Sequence, residues 1–254
     1  MIFQHLHDIR SYELQRALSL IPSQSKILEI GAGAGWQAKT LAESGFSVVA
    51  IDVPGTQYAQ ERLWPVLEYD GINLPFPDGC FDVVFSSHVL EHIPHAEPFQ
   101  AEVRRVLKSD GIAIHILPTG TWRLWTSICL YAYFAKILVE VLFPVVPSGD
   151  LAKTGACAQK RSVRQNIRLR ALLPSRHGEV GNAISEIYLF SRFRWMDLFR
   201  QTGWSVEAYY PTRLFYTGYM LLNSKLNLRL RRNASFILGS SSHLFCLRKS
   251  NVNV

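Results

Sequence analysis

The stretch Lys26-Ile-Leu-Glu-Ile-Gly-Ala-Gly-Ala-Gly35 runs an apolar, partly β-branched strand straight into three glycines at alternate positions. Glycines at the end of a buried strand let the backbone turn sharply and approach a ligand, and the first amides of the helix that follows offer unpaired donors. A nucleotide-like ligand is therefore expected at this turn. The dinucleotide fingerprint wants a third small residue after G-x-G-x-x. Here that place holds Trp36, which is too large for close helix-to-strand packing, so a ligand without a pyrophosphate fits better.

Gln37 to Ser44 has the pattern of a helix closed by Gly45, and Phe46 to Ile51 that of a second buried strand ending on Asp52. Asp52 lies about 20 residues beyond the glycines, where a carboxylate can accept both ribose hydroxyls. Residues 68 to 93 then carry, in order, Asp70-Gly71, Leu74-Pro-Phe76, Phe81-Asp82 and Leu90-Glu-His92, and residues 101 to 115 add a helix and a strand. With these motifs the chain resembles the class I S-adenosylmethionine-dependent methyltransferases, in the small-molecule subgroup, closely over residues 26 to 117. The resemblance implies an α/β, Rossmann-like fold: a seven-stranded, mostly parallel sheet with helices on both faces, the last strand antiparallel, and a largely helical insertion after strand five. It also implies S-adenosylmethionine as cofactor. Glu29, Gly31, Gly33 and Gly35 would shape the loop under the methionine moiety and Asp52 would hold the ribose. Asp70 with Gly71 would meet the adenine amino group, and Ser87 would offer its carbonyl to the methionine ammonium. One departure is Lys108-Ser-Asp-Gly111, which stands where the family has Lys-Pro-Gly-Gly.

A chain of 254 residues with 48% hydrophobic content suits one domain. Its expected parts are a cofactor-binding half (1–117), a substrate or membrane insertion (118–190), and a C-terminal helix with the last two strands (191–254). The cysteines at 80, 129, 157 and 246 have no metal-ligand or disulfide spacing, so no metal site is expected and a reduced, cytoplasmic setting is. The N-terminus lacks the features of an export signal, and Ser11 to Ile21 is expected to be a short amphipathic helix beside the glycine loop.

Charge divides unevenly. Residues 1–117 hold 8 Lys and Arg against 14 Asp and Glu, a net of −6, whereas residues 118–254 hold 19 against 6, a net of +13. The basic half implies an anionic partner or simply a basic surface. Trp122 to Val146 is long and aromatic but interrupted by Lys136 and Glu140, which suits an interfacial helix or a lid over the substrate better than a membrane span. Lys153 to Arg176 follows with seven basic residues and no acid, matching anionic headgroups. A second leucine-rich basic segment covers Tyr216 to Arg232. Ser191 to Gly203 is expected to be a capped helix, Trp204 to Tyr210 a half-exposed strand, and His243 to Arg248 an antiparallel strand at the sheet edge.

The place where amino-group methyltransferases carry an Asp/Asn-Pro-Pro-aromatic loop holds Ser86-Ser-His-Val, and no Pro-Cys pair is present for cytosine chemistry. An oxygen or an activated carbon remains as acceptor. Candidate bases are His88, His92 and His177, with His115 and Glu186 as further possibilities. The expected activity is methyl transfer to an oxygen of a membrane-associated acceptor, such as a lipid-linked saccharide or an isoprenoid quinone, by a protein held peripherally on an anionic membrane. Methylation of a soluble metabolite or of RNA is the alternative, although nucleic acid is the less expected partner; a non-catalytic protein keeping the fold is the third reading.

Overall fold

The computed structural model describes residues 2–55, 59–142, 174–218 and 226–250. Seven strands form one sheet: β1 (Lys26–Ile30), β2 (Ser47–Asp52), β3 (Val66–Glu68), β4 (Phe81–Ser87), β5 (Leu107–Pro118), β6 (Trp204–Pro211) and β7 (Ser242–Lys249). Their order in space is β3-β2-β1-β4-β5-β7-β6, with β7 antiparallel to both neighbours and every other pairing parallel. From β1 the chain winds outward through β2 and β3 and then returns to β4 on the other side of β1. The gap between the ends of β1 and β4 is thus the switch point at which open α/β sheets bind ligands.

The helices are α1 (Ile2–Leu18), α2 (Trp36–Glu43), α3 (Ala96–Val106), α4 (Gly120–Leu142), α5 (Ser185–Leu189), α6 (Arg192–Gln201) and α7 (Leu228–Leu238). Alternate residues of the central strands feed two cores, as a period of two requires. Leu28, Ile30 and Val84 pack with Phe99 and Val103 of α3 and with Trp195, Leu198 and Phe199 of α6. On the other face Ile27, Val83 and Phe85 meet Leu14 and Ala17 of α1 and Leu41 of α2. α6 starts where Ser191 accepts the Arg194 N–H at 3.3 Å, and α7 where Asn227 accepts the Leu230 N–H at 2.9 Å.

Three expectations need correction. β7 is not at the edge: it lies between β5 and β6, and β6, exposed at alternate positions, is the edge strand. The N-terminal helix begins at Ile2 rather than Ser11 and ends at Leu18. His115 does not end strand five; it sits within β5, opposite Phe245 and stacked on Phe199 at 5.8 Å. The Lys108–Gly111 departure is absorbed as an irregularity in the β4–β5 register, pinned by Lys108 Nζ to Asp82 Oδ1 at 2.6 Å.

Among the described residues no helix is long and apolar enough to cross a membrane. α4 nevertheless leaves Leu124, Ile128, Tyr131 and Val139 exposed, positions that share one helical face. The side chains of Lys136 and Glu140, residues 143–173 with most of the basic run, and residues 219–225 of the second basic segment lie outside the described residues.

Candidate cofactor and acceptor site

The glycine loop follows β1 as expected. Gly31, Gly33 and Gly35 have φ of 72°, 55° and 78°, a left-handed region that side chains strain to adopt. A Cβ on Gly31 would fall 2.3 Å from Val89, and one on Gly35 would fall 2.8 Å from Trp64, so the loop is walled by the segment after β4 on one side and by residue 64 on the other. Asp52 lies at the adjoining strand end. Its Oδ2 accepts the Gly33 N–H at 2.7 Å and its Oδ1 the Val53 N–H at 2.8 Å. Each oxygen keeps a lone pair for a hydroxyl, so the carboxylate is oriented yet still able to accept.

Asp70 is exposed and folds its own turn, accepting the Ile72 and Asn73 N–H groups and the Asn73 amide, which hold its carboxyl below the usual range. Gly71, at φ 82°, approaches Val53 so closely that a Cβ there would sit 3.1 Å from its methyl. The Asp52 and Asp70 positions are thereby neighbours. The Leu74-Pro-Phe76 motif is clamped by Arg105, which donates to the carbonyls of Leu74 and Phe76, while Glu102 accepts the Leu74 N–H.

Glu29 is buried, with Oε2 lacking any partner among the described residues. Burial, aided by the charge of Asp52 and opposed by the Ala38 N–H, pushes its carboxyl up to about 8. The buried Ser87 hydroxyl at the end of β4 is likewise unpartnered. A tight glycine cradle, an oriented carboxylate and two orphaned polar groups beside them fit a ligand with a ribose and an ammonium group.

His88 follows Ser87 with φ 56°, a strained value for a residue with a side chain. Its Nε2 contacts Arg10 Nη1 and lies 3.5 Å from Glu13, and its Nδ1 lies 3.5 Å from Glu91. Both ring nitrogens are therefore engaged, which makes His88 a positioning residue rather than a free base. Arg10, Glu13 and Tyr216 were not singled out in the sequence; the only signal was the Arg10-x-x-Glu13 spacing on the first helix. Glu13 is fully buried, accepting from Arg10 at 2.6 Å, from Tyr216 at 2.9 Å and from Ser242. Burial alone would raise its carboxyl, but Arg10, His88 and Ser242 together hold it well below the normal range.

His92 and His177 come together from distant segments, their rings edge to face with centroids 5.0 Å apart. Beneath them Glu91 is buried, with neither oxygen hydrogen-bonded and with His177 Nε2 at 4.0 Å. Burial lowers His177 to about 4 against the opposing pull of Glu91. Its backbone is fixed by Glu186, whose Oε1 accepts the N–H groups of His177 and Gly178 at 2.6 and 2.7 Å. Glu186 in turn pairs with buried Arg123 of α4 at 2.7 Å. Next to this cluster a cavity of about 460 Å³ is walled by Leu90, Glu91, Gly178, Phe190, Trp195 and Leu198.

His115 serves the core instead. Its Nδ1 pairs with Ser86 Oγ at 2.8 Å, and burial lowers it to about 3. His243, held by Tyr209 at 2.9 Å, is lowered to about 4, also by burial. Below pH 6.5 the unfolded chain protonates both imidazoles while the folded chain does not, so both erode stability as pH falls. Glu29 acts in the opposite sense, since its folded carboxyl keeps a proton that the unfolded one loses above about 4.5. Two buried imidazoles outweigh one carboxyl, and His177, lowered in the same sense but about a third exposed, adds to them. The unfolding free energy from urea titrations should therefore fall from pH 6.5 to pH 5 by at least roughly 1.4 kcal/mol per pH unit, and the urea midpoint with it. A midpoint that does not move, or one that rises, would contradict this balance.

The methyltransferase domain family matches residues 28–115. Curated relatives match over a similar stretch. The 2-methyl-6-phytyl-1,4-hydroquinone methyltransferase of Synechocystis is 34% identical over 105 residues, covering 38% of this chain and 33% of that protein. The demethylmenaquinone methyltransferase of Corynebacterium urealyticum is 36% identical over 99 residues, covering 38% and 43%. The ubiquinone biosynthesis O-methyltransferase of Paramagnetospirillum magneticum is 30% identical over 108 residues, covering 39% and 43%. The matched region thus spans less than half the length of these relatives. In fold, the chain resembles an S-adenosylmethionine dependent methyltransferase from Mesorhizobium loti, with a TM-score of 0.54 at 14% identity over 94% of this chain and 98% of the other. It also resembles a methyltransferase from Methanosarcina mazei, with a TM-score of 0.52 at 16% identity over 91% and 94%.

Proposed function

We propose, from the premise that residues 28–115 form a methyltransferase domain on a class I S-adenosylmethionine-dependent fold, that the protein methylates an oxygen of an apolar, membrane-associated acceptor of the isoprenoid quinol type. The observation that carries this reading is the largely apolar cavity beside Glu91, with Glu97 and Arg194 also in its wall, joined to the switch point by the segment from Ser87 to His92. Bound there, the cofactor supplies an electrophilic methyl on a sulfonium. The chain's own residues do the rest. Gly31, Gly33, Gly35, Glu29, Asp52, Asp70, Gly71 and Ser87 hold the donor, while Leu90, Phe190 and Trp195 exclude water around the acceptor. His88, fixed by Arg10, Glu13 and Glu91, sets the backbone after β4. The cluster of His92, His177 and Glu91 is placed to meet the acceptor's hydroxyl.

A lipid-phase acceptor is supported by the names of the quinone-pathway relatives and by the exposed apolar face of α4. Anionic vesicles carrying a reduced short-chain isoprenoid quinone should sediment with the protein, and methyl-labelled cofactor should pass its label into the lipid extract. Ile128→Glu with Tyr131→Glu should lower vesicle binding at least about tenfold, because two buried apolar side chains contribute roughly 1.5 to 3 kcal/mol each, and should leave cofactor affinity unchanged. Label confined to aqueous metabolites or RNA, with no sedimentation, would favour a soluble acceptor instead.

A further inference from the structure

We propose that Glu91, His92 and His177 form a binding site for a divalent transition-metal ion, open on one side to an oxygen of the acceptor. The metal site itself stands on geometry alone; the role toward the acceptor rests on the methyltransferase reading. One ligand atom from each residue lies within 4.8 Å of the others. Sequence inspection finds no such site because His177 belongs to the insertion and the other two follow β4. Glu91 supplies the second, independent observation: it is only 5% exposed, and neither carboxylate oxygen has a hydrogen-bond partner among the described residues. A buried carboxylate faced only by distant imidazole nitrogens is incompletely compensated, and a cation shared with those imidazoles would complete it. The nearest imidazole nitrogens, His88 Nδ1 at 3.5 Å and His177 Nε2 at 4.0 Å, are too far for a strong hydrogen bond.

The ligand set is two imidazoles and one carboxylate, which suits Zn²⁺, Fe²⁺, Co²⁺ or Ni²⁺ rather than Ca²⁺ or Mg²⁺. Ligation at about 2.0 to 2.2 Å requires the three groups to draw together, and His92 is exposed, with its ring already against that of His177. The opposite ligand is already braced. Glu186 holds the backbone of His177 through two N–H groups, and the neighbouring positive charge of Arg123 is matched by Glu186 at 2.7 Å. Three protein ligands leave a position for the acceptor, whose hydroxyl would bind through oxygen and release its proton to solvent at neutral pH.

The test uses the full chain, stripped with a chelator and titrated with Co²⁺ while visible absorption is followed, then with Zn²⁺ in competition. About one equivalent should bind with ligand-field bands, and His177→Ala and His92→Ala should each weaken binding at least about tenfold. His95→Ala, an exposed histidine outside the cluster, should change nothing. S-adenosylmethionine is titrated in parallel on every variant. Retained cofactor binding with no cobalt binding, or cobalt binding indifferent to His177→Ala, overturns the metal site and leaves the methyltransferase reading intact. Cobalt binding without cofactor binding would instead keep the metal site and sink that reading.

Discussion

Asp52→Ala should weaken S-adenosylmethionine binding by at least about a hundredfold in a calorimetric titration. Two hydroxyls of the ribose would lose a charged acceptor, and hydrogen bonds to charged groups are worth about 1.5 to 3 kcal/mol each. The loss does not stop at the ligand. The same two oxygens hold the N–H groups of Gly33 and Val53, so the glycine loop would also lose the group that sets its conformation. Asp52→Asn separates the two effects: its single amide oxygen can keep one backbone bond, and a smaller loss is expected. An alanine variant that binds as tightly as the parent, or a parent that binds a nicotinamide dinucleotide in preference, would refute the assignment of this edge.

Arg123→Met should cost about 3 to 5 kcal/mol of stability, because it strands the buried Glu186 carboxylate without its cation. At about 2 to 4 °C per kcal/mol for a domain of this size, the thermal midpoint should drop by roughly 10 °C. Glu186→Gln should cost a similar amount, since it leaves the buried Arg123 guanidinium without its counter-ion and turns an amide N–H toward either that guanidinium or the His177 and Gly178 N–H groups. The double variant Arg123→Met with Glu186→Gln should cost less than the sum of the two. Strict additivity would mean that the ion pair is not what braces this segment.

The glycine loop, the Asp52 strand end and the Asp70 turn could be read from the chain because each has a local signature. A β-branched run stopping at alternating glycines, a carboxylate at a strand end and an Asp-Gly turn are all set by residues close in sequence. Long-range partners leave no such trace. Glu13 looks like one more charge on an amphipathic helix, yet in the fold it is a fully buried acceptor for Arg10, Tyr216 and Ser242. His115 and His88 have the same side chain and each follows a strand-like run; the register of β5 against β7, and the turn after β4, make one a core residue and the other a strained neighbour of the site. The place of β7 was illegible for the same reason, since alternation along a strand names its faces but not its neighbours.

That placement of β7 governs when the molecule can become whole. β6 is made before β7 but pairs with the rest of the sheet only through it, so until the later strand slides in, β5 and β6 each present a row of unpaired backbone groups. Ser242, which opens β7, also carries one of the hydroxyls that hold Glu13 beside His88. The half of the chain that is synthesised first therefore supplies every group proposed to touch the cofactor, yet it must wait for one of the last strands to lock the helix lying against them. Assembly of the site is thus a late and cooperative event, and a nascent chain would carry the recognition motifs well before it could use them.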